Sequence, residues 1–174
     1  HLVFSTLHTN DAPSAATRLI DMGVEPYLVA SSLEVVLAQR LVRIICPKCR
    51  EQTPDADVDL LRSEFGALVP DVLYRGRGCR NCQNTGYRGR TGIFELMNVT
   101  EEVRQLILER APSCQLSRAA TRDGMTSLRT DGWRLVREGR TTPEEVLRAT
   151  KEEHVGSAAA PAITTAATTN GGHA

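Results

Sequence analysis

Of the five cysteines in this 174-residue chain, four are spaced for a shared task. Cys46-Pro-Lys-Cys49 and Cys79-Arg-Asn-Cys82 repeat the same Cys-x-x-Cys spacing. Such a turn directs two thiolates into one small volume, and two of them supply the four sulfurs of a tetrahedral zinc site. The loop between the pairs exceeds the usual roughly 15 to 20 residues, and a helix-like insert around residues 58–65 accounts for the excess. A redox pair is the competing chemistry. It needs one Cys-x-x-Cys at a helix start, whereas both pairs here sit in turn-rich sequence. With all four positions taken by cysteine no site remains for water, so the expected zinc is structural and hydrolyses nothing. Cys114, the fifth, lies in helical sequence and is expected to be a small packed hydrophobe.

The second candidate is the opening stretch HLVFSTLHTNDA, with His1 and His8 seven residues apart. Residues 2–9 read as a buried strand, with Val3, Phe4, Thr6 and Thr9 among apolar neighbours. A histidine in such a strand is usually a packed, hydrogen-bonded side chain. His8, however, falls at the strand end among Ser5, Thr6, Thr9 and Asn10. Ligands of open α/β sheets gather outside the carboxyl ends of strands, so spacing leaves both readings open. The run starts like a strand already under way, and the chain is expected to be a fragment.

Charge narrows the partners. Acidic and basic residues number 21 each, so no global field draws the molecule onto nucleic acid or an anionic membrane. Locally, Arg75, Arg77, Arg80, Arg88 and Arg90 stand without an acidic residue in residues 72–92. A zinc ribbon with such a face could bind nucleic acid, but Tyr74 and Tyr87 are its only aromatics, fewer than a stacking platform needs. A solvated face, or one that meets acidic groups of a neighbouring subunit, is the favoured reading. No apolar run reaches the roughly 20 residues of a membrane span, and no signal peptide is visible, so the expected location is cytoplasmic.

These residues need a scaffold. NDAPSAATRLIDMG predicts a helix with Asn10 or Asp11 as its cap, Pro13 in the first turn and Gly23 at its end. Strand then helix is the grammar of an α/β sheet. A second helix is expected to enter at Pro26, followed by a short extended run from residue 41 to 45. GIFELMNV resumes an apolar pattern. Helices then follow from Thr100, from Ser113 to Gly124, and through TSLRTDGWRLVREG, where Leu128, Leu135 and Val136 share a face. TTPEEVLRAT predicts a capping box, Thr142 to Glu145, with Pro143 at the first helical position. Four segments result: the end of an α/β core over 1–45, a tetracysteine module over 46–92, a return strand and helical subdomain over 93–155, and a disordered tail over 156–174, too poor in large apolar residues to order itself.

HLVFSTLHTNDAPSAATRLIDMGVEP, LAQRLVRIICPKC, GCRNCQNTGYRGRTGIFEL and SLRTDGWRLVREGRTTPEEVLRAT, in this order, resemble the secretion ATPases of type II secretion and type IV pilus assembly. The resemblance is greatest to the general secretion pathway ATPases. It implies a RecA-like P-loop fold, a homo-hexameric ring at the cytoplasmic face of the inner membrane, and ATP hydrolysis with Mg²⁺ coupled to domain rotation. The motion would act on inner-membrane platform proteins. On this resemblance His1 and His8 fall on the two histidines of the family's histidine box, His8 near the γ-phosphate and His1 supporting the active-site loop. Neutral imidazole can accept or donate a proton near pH 7, which suits a phosphate sensor. Arg40 in AQRL is expected near the nucleotide or a subunit interface. The chain has no G-x-x-x-x-G-K-[ST] loop, and no acidic strand end precedes His1, so these 174 residues alone are expected not to hydrolyse ATP. The alternative is a stand-alone zinc-ribbon module that binds nucleic acid through its arginines.

Overall fold

The computed structural model describes residues 1–54, 59, 61–62, 66 and 69–150. Most of the expected helix at 58–65, and all of the expected tail at 156–174, lie outside the described residues. The chain is mixed α/β. Helices α1 (Pro13–Asp21) and α2 (Pro26–Ser32) lead into strand β1 (Val35–Ile45). The short strands β2 (Arg50–Gln52) and β3 (Tyr74–Gly76) follow, then β4 (Tyr87–Asn98). Helices α3 (Glu101–Leu108), α4 (Ser113–Arg122), α5 (Leu128–Arg137) and α6 (Pro143–Ala149) complete the order.

Two antiparallel ribbons organise these elements, β1 with β4 and β2 with β3. The long ribbon runs in register from Val35 opposite Asn98 to Arg43 opposite Arg90, slips once, and ends with Ile45 opposite Tyr87. Strand side chains alternate between faces. Val36, Ala38 and Val42, with Ile93, Glu95 and Met97, point inward, whereas Val35, Leu37, Leu41, Phe94 and Leu96 are exposed. The inner face meets two clusters. Met97 packs with Ala16, Val29, Val103, Ile107, Leu116 and Ala119 from α1 to α4. Val42 and Ile93 pack with Leu128 and Leu135 of α5. A third cluster joins Val69 and Leu73 to Trp133, Val136 and Val146.

One buried carboxylate connects the ribbon to two helices. Glu95 projects into the inner face, where Oε1 accepts the Ala12 N–H at 2.7 Å and Oε2 accepts the Leu128 N–H at 3.2 Å. Those groups lie at the starts of α1 and α5, which carry partial positive charge and unpaired N–H donors. Asp11 adds a local cap to α1, its Oδ1 accepting the Ser14 N–H at 2.8 Å.

Four expectations are corrected. Residues 1–9 form no strand, and Leu2, Val3 and Phe4 are exposed. A strand needs a neighbour for its backbone groups, and no described strand lies beside them. Second, the helix entered at Pro26 stops at Ser32, and the extended run starts at Val35 rather than Leu41. The alternation was hidden because both faces of the strand carry apolar residues. Third, Cys114 is exposed. The buried residues of α4 are Leu116, Ala119 and Ala120, and Cys114 lies off that stripe. Fourth, the Thr142 side chain makes no cap bond. Its hydroxyl meets the Tyr87 hydroxyl at 2.9 Å, while Glu145 turns inward to Arg43 at 2.6 Å and Arg148 at 2.9 Å.

Candidate metal centre and histidine segment

The four paired cysteines converge. Each pair sits in a turn closed by its own backbone, Cys49 N–H to Cys46 C=O and Cys82 N–H to Cys79 C=O, both at 3.2 Å. The first turn leaves the end of β1 and runs into β2, and the second lies between β3 and β4. Cys46 N–H bonds Gly86 C=O at 2.9 Å, and Arg77 N–H bonds Cys49 C=O at 3.0 Å, which clamps the turns together. Gly76 and Gly86 pass so closely that a Cβ on either would strike the other's carbonyl oxygen. Gln83 and Asn84 adopt left-handed φ values of 53° and 60° to close the second turn.

All four Sγ atoms lie within 4.8 Å of one another. Cys46 and Cys79 are 3.9 Å apart, Cys49 and Cys82 3.8 Å, and Cys79 and Cys82 3.7 Å. A tetrahedron with zinc–sulfur arms of about 2.3 Å has edges of about 3.8 Å. Three of the six sulfur–sulfur edges match that tetrahedron, and the set is gathered closely enough to hold one metal ion. Burial pushes the Cys49 thiol up to about 12. Burial also raises Cys82, but the N–H groups of Cys79 and Gly86 outweigh it and bring that thiol down to about 6. Cys46 is held below its usual value, chiefly by the Asn81 side-chain amide.

Among the five arginines of the stretch around this centre, two are engaged through their side chains. Arg75 pairs with Glu51 at 3.1 Å, and Arg88 bonds the Asn81 carbonyl at 3.2 Å. Arg50 stacks over Tyr74 at 3.8 Å and Arg43 over Tyr87 at 4.1 Å. Each tyrosine therefore has one face covered by a guanidinium, which disfavours the nucleic-acid alternative.

At the other candidate the structure gathers less. His1 and His8 are exposed and, among the described residues, make no hydrogen bond. Arg40 does turn toward this segment. Its guanidinium bonds the carbonyls of Thr9 and Asn10, each at 3.3 Å, and Asn10 Oδ1 at 3.0 Å, so it holds the two residues that follow His8. Asn10, Arg40, Glu95 and Arg129 border a cavity of about 180 Å³. Sequence reasoning missed Asn81, Glu95 and the Arg43–Glu145–Arg148 cluster. Glu95 left a signal, since it is the one acidic residue on the inward-facing side of GIFELM; Asn81 left none beyond its place between two cysteines.

Comparison with known proteins places these features in context. Residues 1–148 match the type II/IV secretion system protein family. Type II secretion system protein E of Pseudomonas aeruginosa is 51% identical over 155 residues, covering 88% of this chain and 30% of the relative. Type II secretion system ATPase E of Vibrio cholerae is 50% identical over 154 residues, 87% of this chain and 30% of the relative. Type IV pilus assembly ATPase PilB of Myxococcus xanthus is 43% identical over 152 residues, 84% and 26% respectively. The chain spans less than a third of the length of each of these relatives.

Proposed function

The chain belongs to the type II/IV secretion system protein family, and on that footing we propose that it is the C-terminal part of a RecA-like P-loop ATPase, a hexameric motor of type II protein secretion or type IV pilus assembly. In the whole protein, ATP binding and hydrolysis with Mg²⁺ drive domain motion, and the motion is passed to platform proteins of the inner membrane. The motor works at the cytoplasmic face of that membrane. Among the described residues no helix is long and apolar enough to cross a membrane, in keeping with a peripheral position.

The observation that carries this reading is the family match over residues 1–148, a span that takes in His1, His8, Arg40 and all four paired cysteines. His8 acts as the γ-phosphate sensor, His1 supports its loop, and Arg40 sets the backbone on which His8 stands. Cys46, Cys49, Cys79 and Cys82 hold a structural Zn²⁺, which supplies cross-linking and no hydrolytic chemistry. Residues 1–45 close the ATPase core, 46–92 form the zinc module and 93–155 the return strand and helical subdomain.

The test is ATP turnover by the full-length protein that contains this chain. His8→Ala is expected to lower kcat by about 100-fold, at the lower end of the range for losing a positioned group that handles a proton, with ATP binding largely kept. The 174-residue chain alone is expected to show no Mg²⁺-dependent turnover. Full activity in the His8→Ala protein would remove His8 from the mechanism, and turnover by the short chain would overturn the division of the active site.

A further inference from the structure

We propose that Asn81, held by Arg88, is a positioning residue of the metal centre, tying the two cysteine turns together through a side-chain N–H···S bond to Cys46. Asn81 belongs to the second turn, Cys79-Arg-Asn-Cys82, yet its Nδ2 lies 3.5 Å from the sulfur of Cys46 in the first. Among the described residues it is the only side chain other than cysteine that bonds a sulfur of the set. The other donors to the set are backbone groups, among them Cys79 N–H to Cys82 Sγ at 3.2 Å and the N–H groups of Lys48, Gly78 and Gly86.

The amide is also fixed from behind. Arg88, at the start of β4, donates to Asn81 Oδ1 and to the Asn81 carbonyl oxygen, the latter at 3.2 Å. With Oδ1 committed to a guanidinium, the NH₂ group is the end that faces the sulfur, which is the orientation a thiolate acceptor requires. The relay runs from β4 through Arg88 and Asn81 to Cys46, and so joins the metal centre to the long ribbon by side chains as well as by backbone.

The chemistry follows from charge. Four thiolates around one divalent cation leave two negative charges in a small, partly buried volume. An N–H donor aimed at sulfur draws density from that thiolate, lowers its tendency to leave the metal and reduces its nucleophilicity. Partners of this kind, one bond removed from the ion, orient ligands and tune the centre, and their loss commonly costs about 10- to 100-fold in metal affinity. Asn81 is exposed, which places it at the lower end of that range.

The inference rests on the metal-binding reading of the four cysteines, and the experiment separates the two. The full chain is loaded with Zn²⁺, or with Co²⁺ as a spectroscopic substitute, and affinity is measured by chelator competition. Asn81→Ala is expected to bind about tenfold more weakly. Its sulfur-to-cobalt charge-transfer band is expected to move to lower energy, because the sulfur lone pair loses its donor, while the ligand-field bands of a four-sulfur tetrahedron persist. A general loosening of the loop would weaken binding without that directional shift. Arg88→Ala, which keeps Asn81, should shift the band the same way by less, and it carries the test if Asn81→Ala does not fold. The control is exposed Arg80→Ala, expected to be silent. Unchanged affinity and spectrum in both Asn81→Ala and Arg88→Ala overturn the proposal while leaving the metal site standing; a parent chain that binds neither ion overturns both.

Discussion

The cysteine module and the helical body lie side by side but are held by different means. In the body, two apolar clusters take up the inner face of the long ribbon and the facing sides of its helices, and the buried carboxylates Glu95 and Glu145 are hydrogen-bonded. Around the candidate metal centre Cys46, Cys49 and Cys82 form a cluster of their own, and two further buried residues of the segment, Val69 and Leu73, pack against Trp133, Val136 and Val146 of the body. Apolar burial stabilises a structure whether or not an ion is bound. Four ligands around one ion stabilise it only while the ion is present. The body is therefore expected to tolerate chelation and the module is not.

The largest test of that contrast is removal of one ligand. Cys79→Ser is expected to abolish stoichiometric zinc binding and open the module to protease, since structural zinc contributes on the order of 10 kcal/mol in small domains. The body should keep its cooperative unfolding transition in the same variant. Unaltered zinc content and protease resistance would erase the distinction between the regions.

Next in size is Glu95. Glu95→Ala leaves the N–H groups of Ala12 and Leu128 without their acceptor at two helix starts, and a loss of about 3 kcal/mol is expected from bonds to a charged group. Denaturant titration reads this directly, and zinc affinity should be unchanged. A zinc defect in Glu95→Ala would mean that the body governs the module.

The junction gives a smaller, pH-dependent effect. Burial raises the Glu145 carboxyl, but Arg148 and Arg43 outweigh it and hold the group down at about 2, below its ordinary 4.5. A lowered carboxyl contributes stability that is fully present above the ordinary value and disappears as pH falls toward 2. The body should weaken across that window, and Glu145→Gln, less stable at pH 7, should show a shallower decline. An equally steep acid limb in Glu145→Gln would assign the acid sensitivity to other carboxylates. Smallest of all, Cys114→Ser should change stability by less than about 0.5 kcal/mol, as expected for an exposed position, and leave zinc stoichiometry untouched.

How much of this was legible in the chain depends on the range of the interactions. The cysteine set was readable because each half of it is local, two residues between two ligands, and only the pairing of halves needed the fold. Helix limits at Pro26, Pro143, Gly23 and Gly139 were readable for the same reason: Pro fixes φ at a helix start, while Gly23 and Gly139 adopt φ values of 92° and 63° just past a helix end. Glu145 was misread because a local rule and a distant partner competed for one carboxylate, and Arg43, far away in sequence, won. Strand β1 was cut short because its apolar outer face hides the alternation that marks a strand. The proposed role of the histidine segment rests on family resemblance, since nothing in its own spacing distinguishes a sensor from a packed side chain.

The pairing of Ile45 with Tyr87 bears on how such a chain can change over generations. Everything from residue 46 to 86 leaves and returns at a single rung of the β1–β4 ladder. An excursion of this kind adds length without altering the phase of either strand, so the inner face of the ribbon keeps its alignment whatever is spliced in at that rung. Gain or loss of the entire cysteine module is then one genetic event that keeps the register of the ribbon, and its cost to the core is the contact of Val69 and Leu73 with Trp133, Val136 and Val146. Replacing residues 46–86 with a short hairpin turn would reproduce that event in the laboratory.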